Sequence, residues 1–241
     1  MCSRRWRDMA KNLLCLNSPH GNPISCAPRP ASFGADDYDV LSELGYRQAV
    51  RLGEYFKYKG MVFDAAFTGT LRRQKKTFEG ICEGMGTALT AEAFPGLNEY
   101  DSEAVIGAIH PHKLEKSTSP EEYRKHFRLL KDGLAQWMAG VVSPKGMPDY
   151  PGFVAGVTDV LDHIRKTYEG NVLLVSSGGP ISTAVGHVLG TPAETTIELN
   201  LRIRNCSLTE FDFTPKRHML VTYNTLPHLD APEHAEWVTY S

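Results

Sequence analysis

The stretch Val172-Leu173-Leu174-Val175-Ser176-Ser177-Gly178-Gly179-Pro180-Ile181 decides how this chain folds. Its first four residues form a short apolar run, β-branched and leucine, with glycine on either side. That pattern reads as a strand buried on both faces. Gly178 and Gly179 then permit a tight turn, and Pro180 suits a first helical turn because its missing N–H would have no partner there. A helix over about residues 181–189 follows. Its free N–H groups and the positive end of its dipole make an anion site, for phosphate above all. Strand–loop–helix units are common, so this reading needs other motifs that converge on the same point.

Outward from this centre the pattern keeps alternating. Residues 65–68 read as a short buried strand, and 71–85 as a helix with a basic first half, Arg72-Arg73-Gln74-Lys75-Lys76. Residues 88–94 read as a strand leading into Pro95-Gly96-Leu97-Asn98-Glu99-Tyr100-Asp101. Upstream, Ser42 is a candidate N-cap for a helix whose inner face carries Gly45, Ala49, Leu52, Gly53 and Phe56 and which Gly60 ends. Residues 102–148 form an excursion, where Ser119-Pro120-Glu121-Glu122 is a capping box opening a helix to about 139. The proline- and glycine-rich 141–150 reads as a loop, 153–168 as an amphipathic helix, and 193–202 as helical. Residues 205–213 and 218–223 read as strands joined by a turn at Thr214-Pro215-Lys216. The expected fold is α/β, a three-layer, mostly parallel sheet with helices on both faces. Ligands of such sheets sit beyond the carboxyl ends of the strands.

The chain has 241 residues and a net charge of -2, so neither nucleic acid nor a membrane is expected as a partner. The apolar run 13–16 is too brief for a secretory core or a span. Five cysteines without a Cys-x-x-Cys suit a reducing compartment, the cytoplasm. No metal-ligand cluster is apparent, and no cofactor is expected.

Taken together, the pieces resemble the histidine phosphatase superfamily, the fold of phosphoglycerate mutase and its phosphatase relatives. The resemblance rests on Leu41-Ser42-Glu43-Leu44-Gly45-Tyr46-Arg47-Gln48-Ala49 and on Thr68-Gly69-Thr70-Leu71-Arg72-Arg73-Gln74-Lys75-Lys76-Thr77. It continues through Leu97-Asn98-Glu99, residues 172–181, Asn205-Cys206-Ser207-Leu208-Thr209 and Asn224-Thr225-Leu226-Pro227-His228-Leu229. It covers about residues 31–230 of what would be one domain, 31–241. In that family a histidine in an Arg-His-Gly motif takes the phosphoryl group, and water or a second substrate removes it. Arginines and a second histidine hold the phosphoryl oxygens, and a glutamate protonates the leaving oxygen.

The resemblance implies Arg73 as a phosphate-binding arginine, with Arg72 as the alternative. A solvated basic helix face is the competing reading of both. It implies Glu99 as the general acid, with Asp101 as the substitute. Ser32, Ser177, Gly178, Gly179 and His228 would line the substrate site, although a structural histidine is as common at the place of His228. The implied ligand is phosphate or a phosphorylated small molecule, and hydrolysis is favoured over mutase activity. The alternative is a non-catalytic phospho-ligand binder or scaffold with the same fold.

Two departures stand out. Ser177 occupies the place of the second histidine, and a hydroxyl donates one hydrogen bond but carries no charge. Ala27-Pro28-Arg29-Pro30 stands where Arg-His-Gly-Gln belongs. Residues 1–30 differ in character from the rest and hold Cys2, Cys15 and Cys26 among several prolines. The codons allowed for residues 24–30, read one base later, include a spelling of Tyr-Leu-Val-Arg-His-Gly-Gln. The segment is therefore expected to be a frameshifted reading of the first strand and catalytic loop, which leaves the chain as written impaired. The rival is that His20-Gly21 replaces the motif after the run 13–16.

Overall fold

The computed structural model describes residues 11–17, 39–112, 114 and 119–240. The strands are β1 (Lys11–Asn17), β2 (Ala65–Thr68), β3 (Glu92–Ala93), β4 (Val172–Ser176), β5 (Leu208–Phe213) and β6 (His218–Thr225). The helices are α1 (Glu43–Tyr58), α2 (Arg72–Met85), α3 (Ser102–Ile109), α4 (Pro120–Met138), α5 (Tyr150–Thr167), α6 (Gly178–Leu189) and α7 (Ala193–Asn200).

The strands form one sheet in the order β3-β2-β4-β1-β5-β6. β4 lies at its heart with all five residues buried, parallel to β2 on one side and to β1 on the other. β3 adds to β2 in parallel, while β5 runs antiparallel to β1 and pairs with β6 as a hairpin. The sheet is thus mostly parallel, as its alternation with helices requires.

Because side chains alternate along a strand, β4 supplies two separate cores. Leu173 and Val175 pack with Ala66 against Ala49, Leu52 and Phe56 of α1 and Ile81 of α2. Val172 and Leu174 pack with Phe67, Phe211 and Phe213 against Val160 and Ile164 of α5 and Ile181 and Val185 of α6. These are the three layers. Each fully buried leucine or phenylalanine contributes about 1.5–3 kcal/mol, so the two faces together hold the sheet. α1 and α2 cross closely because Gly53 and Gly84 bring backbone against backbone, with no room for a Cβ at either.

Several boundaries differ from those read in the sequence. Residues 88–94 contribute only Glu92–Ala93 to the sheet, an exposed edge pairing with β2. α5 begins at Tyr150, three residues early, because Asp149 caps it by accepting from the Gly152 N–H. α6 begins at Gly178, so the glycine pair is its first turn and makes no separate bend before it. The interior seat beside β4 is filled by Lys11–Asn17, which contains the apolar run 13–16.

Candidate active site

Three strand ends meet at one place: Asn17 pairs with Ser176, and Thr68 with Val175. Beyond them lie the N-termini of α2 and α6 and the loop through Glu99. The N-terminus of α2 has no cap from its own residue, Leu71. Asp39 supplies one from a distance, accepting from the N–H of Arg72 at 2.8 Å and of Arg73 at 3.2 Å. A carboxylate there also suits the positive end of the helix dipole.

The two adjacent arginines part company at this point. Arg72 points outward, its side chain 65% exposed and 3.8 Å from Asp39. The side chain of Arg73 is 0% exposed and turns inward, with Nη1 3.5 Å from Asp39 Oδ1 and Nη2 3.5 Å from Ser177 Oγ. A guanidinium sunk at the strand ends is the group of choice for holding an oxyanion in a bidentate way.

Glu99 arrives on a 3₁₀ turn, Pro95–Leu97, that is tied down on both sides. The Leu97 carbonyl accepts from Ser176 Oγ and from Gln74 Nε2, each at 2.8 Å. Asn98 accepts from the Thr70 N–H and donates to the Thr70 hydroxyl, both at 2.7 Å. The half-buried Glu99 carboxylate then lies on the first turn of α6, with both oxygens 3.1 Å from the Gly179 N–H. Burial pushes its carboxyl above the usual range, while the Arg73 guanidinium and the N–H groups of Gly179, Tyr100 and Gly178 pull the other way. Gly179 belongs here sterically, since a Cβ would collide with the Glu99 carboxylate and the Tyr100 ring.

Arg73, Ser177, Gly178, Gly179 and Glu99 are therefore gathered within one site. Asp101 is exposed and occupied as the N-cap of α3, accepting from the Ala104 N–H. His228 is buried in the turn Pro227–Leu229 against α1, and neither ring nitrogen has a hydrogen-bond partner among the described residues. Burial, with Arg51 and His234 as the nearby charges, lowers its pKa to about 3. Ser32, His20 and residues 24–30 lie outside the described residues. Asp39 and Gln74 were missed in the sequence. Gln74 carried a signal: it shares the inner face of α2 with Thr77, Phe78 and Ile81, a polar residue on a buried stripe.

A buried arginine, a hydroxyl and a half-buried carboxylate gathered on a helix N-terminus at parallel strand ends define a site equipped to receive an oxyanion. Residues 29–226 match the family model of the histidine phosphatase superfamily (branch 1), and the chain belongs to that family. A Photorhabdus laumondii protein named Probable phosphoglycerate mutase GpmB is 29% identical over 198 residues, covering 80% of this chain and 84% of that protein. The 2,3-bisphosphoglycerate-dependent phosphoglycerate mutase of Methylorubrum populi is 29% identical over 171 residues, covering 66% and 81%. The fold matches the alpha-ribazole phosphatase of Shigella flexneri at a TM-score of 0.59, with 18% identity and 89% and 96% of the two chains covered. It also matches the mycobacterial glucosyl-3-phosphoglycerate phosphatase in complex with inorganic phosphate, at 0.60, 21%, 92% and 100%. Among the described residues no helix is long and apolar enough to cross a membrane, and no group of metal-ligating side chains is assembled.

Proposed function

We propose that this chain binds a phosphorylated small molecule at Arg73, Ser177 and Glu99, and that its parent chemistry is hydrolysis of a phosphomonoester through a phosphohistidine. The observation that carries the reading is the buried Arg73 guanidinium directed at the head of α6, with the Glu99 carboxylate on the same turn. Family membership and phosphatase neighbours support it, one of them in complex with inorganic phosphate. Arg73 would hold the phosphoryl oxygens and Glu99 would protonate the departing alkoxide.

The nucleophile is the missing part. We read residues 1–30 as a shifted translation, so that the chain as written is impaired, in the cytoplasm of its cell. The start of the family match at residue 29 fits this. β1 in the interior seat fits the rival, since Asn17, paired with Ser176, stands only three positions before His20 in the sequence. A second function, phospho-ligand binding without turnover, is favoured by the neutral Ser177 in place of a histidine.

Hydrolysis of p-nitrophenyl phosphate and of an alkyl phosphate separates these readings. It is to be run on this chain, on its His20→Ala variant, and on a chain carrying Tyr-Leu-Val-Arg-His-Gly-Gln before Ala31. Turnover by the restored chain alone supports the proposal. Equal turnover by this chain, lost in His20→Ala, overturns the shifted reading. Phosphate binding with no turnover in any form leaves a binder.

A further inference from the structure

Ser177 is the N-cap of α6, and an N-cap serine ordinarily turns its hydroxyl onto an N–H of the first turn. Here it makes no such bond. The Gly179 N–H is taken by Glu99, and the Ser177 hydroxyl faces α2 instead. It accepts from Gln74 Nε2 at 2.9 Å and lies 3.5 Å from Arg73 Nη2.

The orientation of the Gln74 amide follows from its second contact. Nε2 also lies 2.8 Å from the Leu97 carbonyl oxygen, which only accepts. Flipping the amide would set two oxygens against each other, so the NH₂ must face this way. Both of its protons are then committed, one to Leu97 and one to Ser177. A hydroxyl has one proton and two acceptor positions. With Gln74 on one position and Arg73 nearest the other, its proton points to a third partner, and none of the described residues accepts it. Gln74 and Ser177 are both fully buried, so this arrangement is held by the packing. The Gln74 Oε1 is itself buried with no partner among the described residues.

We infer that Gln74 is a positioning residue, which fixes Ser177 as a neutral donor aimed at a phosphoryl oxygen held by Arg73. The inference rests on the phosphate-site reading above. It accounts for a serine in place of a charged histidine: the hydroxyl donates reliably only because its acceptor side is saturated.

The test is a double-mutant cycle with inorganic phosphate and vanadate, read by isothermal titration on the full chain. Ser177→Ala and Gln74→Met should each weaken binding about tenfold, the loss of one hydrogen bond to a charged group. The double variant should be no weaker than Ser177→Ala alone, because the Leu97 carbonyl keeps its bond from Ser176 Oγ and the remaining route from Gln74 to the anion runs through that hydroxyl. Thermal melts accompany each variant. Gln74→Glu, close in shape but able to accept from Ser177, is the second probe and should weaken binding as Gln74→Met does. A Gln74 effect that is absent, or equally large in the Ser177→Ala background, overturns the inference. Arg73→Ala is the control on the reading beneath it. If Arg73→Ala leaves the affinity unchanged, or the parent chain binds neither anion, the phosphate site fails and this inference fails with it.

Discussion

The Gly179 N–H lies 3.1 Å from each oxygen of the Glu99 carboxylate, two residues that are eighty positions apart. This one relationship places a candidate acid on the positive end of α6 and explains why the helix starts two residues before its proline. It also sets two opposing demands. Burial favours the neutral acid, which can donate a proton, whereas the N–H groups favour the carboxylate.

Glu99→Gln in the restored chain should slow hydrolysis of alkyl phosphates by about 10²–10⁴-fold and barely affect aryl phosphates, which need little help in leaving. Because burial raises the Glu99 carboxyl above its ordinary range, the acid form persists to higher pH. Alkyl phosphate turnover should then fall as pH rises through that raised value, and the fall should vanish in Glu99→Gln. Parallel pH profiles would remove Glu99 from the acid role.

Arg73→Ala should weaken phosphate binding roughly ten- to a hundredfold, the loss of a charge-assisted contact in a buried pocket. Arg72→Ala should leave affinity within about twofold, because its exposed charge is screened by solvent. Titration calorimetry on both variants decides the assignment. A larger loss in Arg72→Ala would reverse it.

Gly179→Ala should destabilise the fold by about 1–3 kcal/mol, the usual cost of overpacking. The new methyl meets the Glu99 carboxylate and the Tyr100 ring. Activity should suffer more than stability does, since the same collision displaces the acid. A melting temperature equal to that of the parent would mean that the loop yields without cost.

His228 and His218 should make the fold acid-sensitive. Their pKa values are lowered to about 3 and about 4, in both cases chiefly by burial. The unfolded chain takes up these protons first, from about pH 6.5 downward, so stability falls as pH drops through that window towards the folded values. For buried His228 the slope is at most about 1.4 kcal/mol per pH unit. Between pH 7 and pH 4 the melting temperature of the parent should fall relative to that of His228→Phe. Curves that stay parallel would mean that His228 is not the group titrating.

What was legible in the sequence was local. Ser42 and the Ser119–Glu122 box set helix starts through bonds within three residues, and both are found where the residue types place them. The strand Ala65–Thr68 and the doubly buried β4 follow from apolar runs alone. The choice of Arg73 over Arg72 came from the family resemblance, because the helical run of basic residues does not distinguish its two faces. What escaped was set by distant partners. Asp39 caps α2 across thirty-three residues, and Glu99 draws the glycine pair into α6. Of residues 88–94 only Glu92 and Ala93 join the sheet, since the run is mostly alanine and glutamate with few β-branched or aromatic types to extend the pairing.

β1 bonds to β4 in parallel on one side and to β5 in antiparallel fashion on the other, so the hairpin β5–β6 reaches the rest of the sheet only through it. In folding terms β1 is a keystone closed late: its amides join residues 11–17 to partners at 172–176 and 208–213, loops whose closure entropy comes before any reward. Native-state hydrogen exchange should accordingly show β1, β5 and β6 opening as one cooperative unit, below the free energy at which β2 and β4 exchange. Whichever sequence occupies that seat also decides whether the hairpin, and with it the turn carrying His228, stays docked against α1.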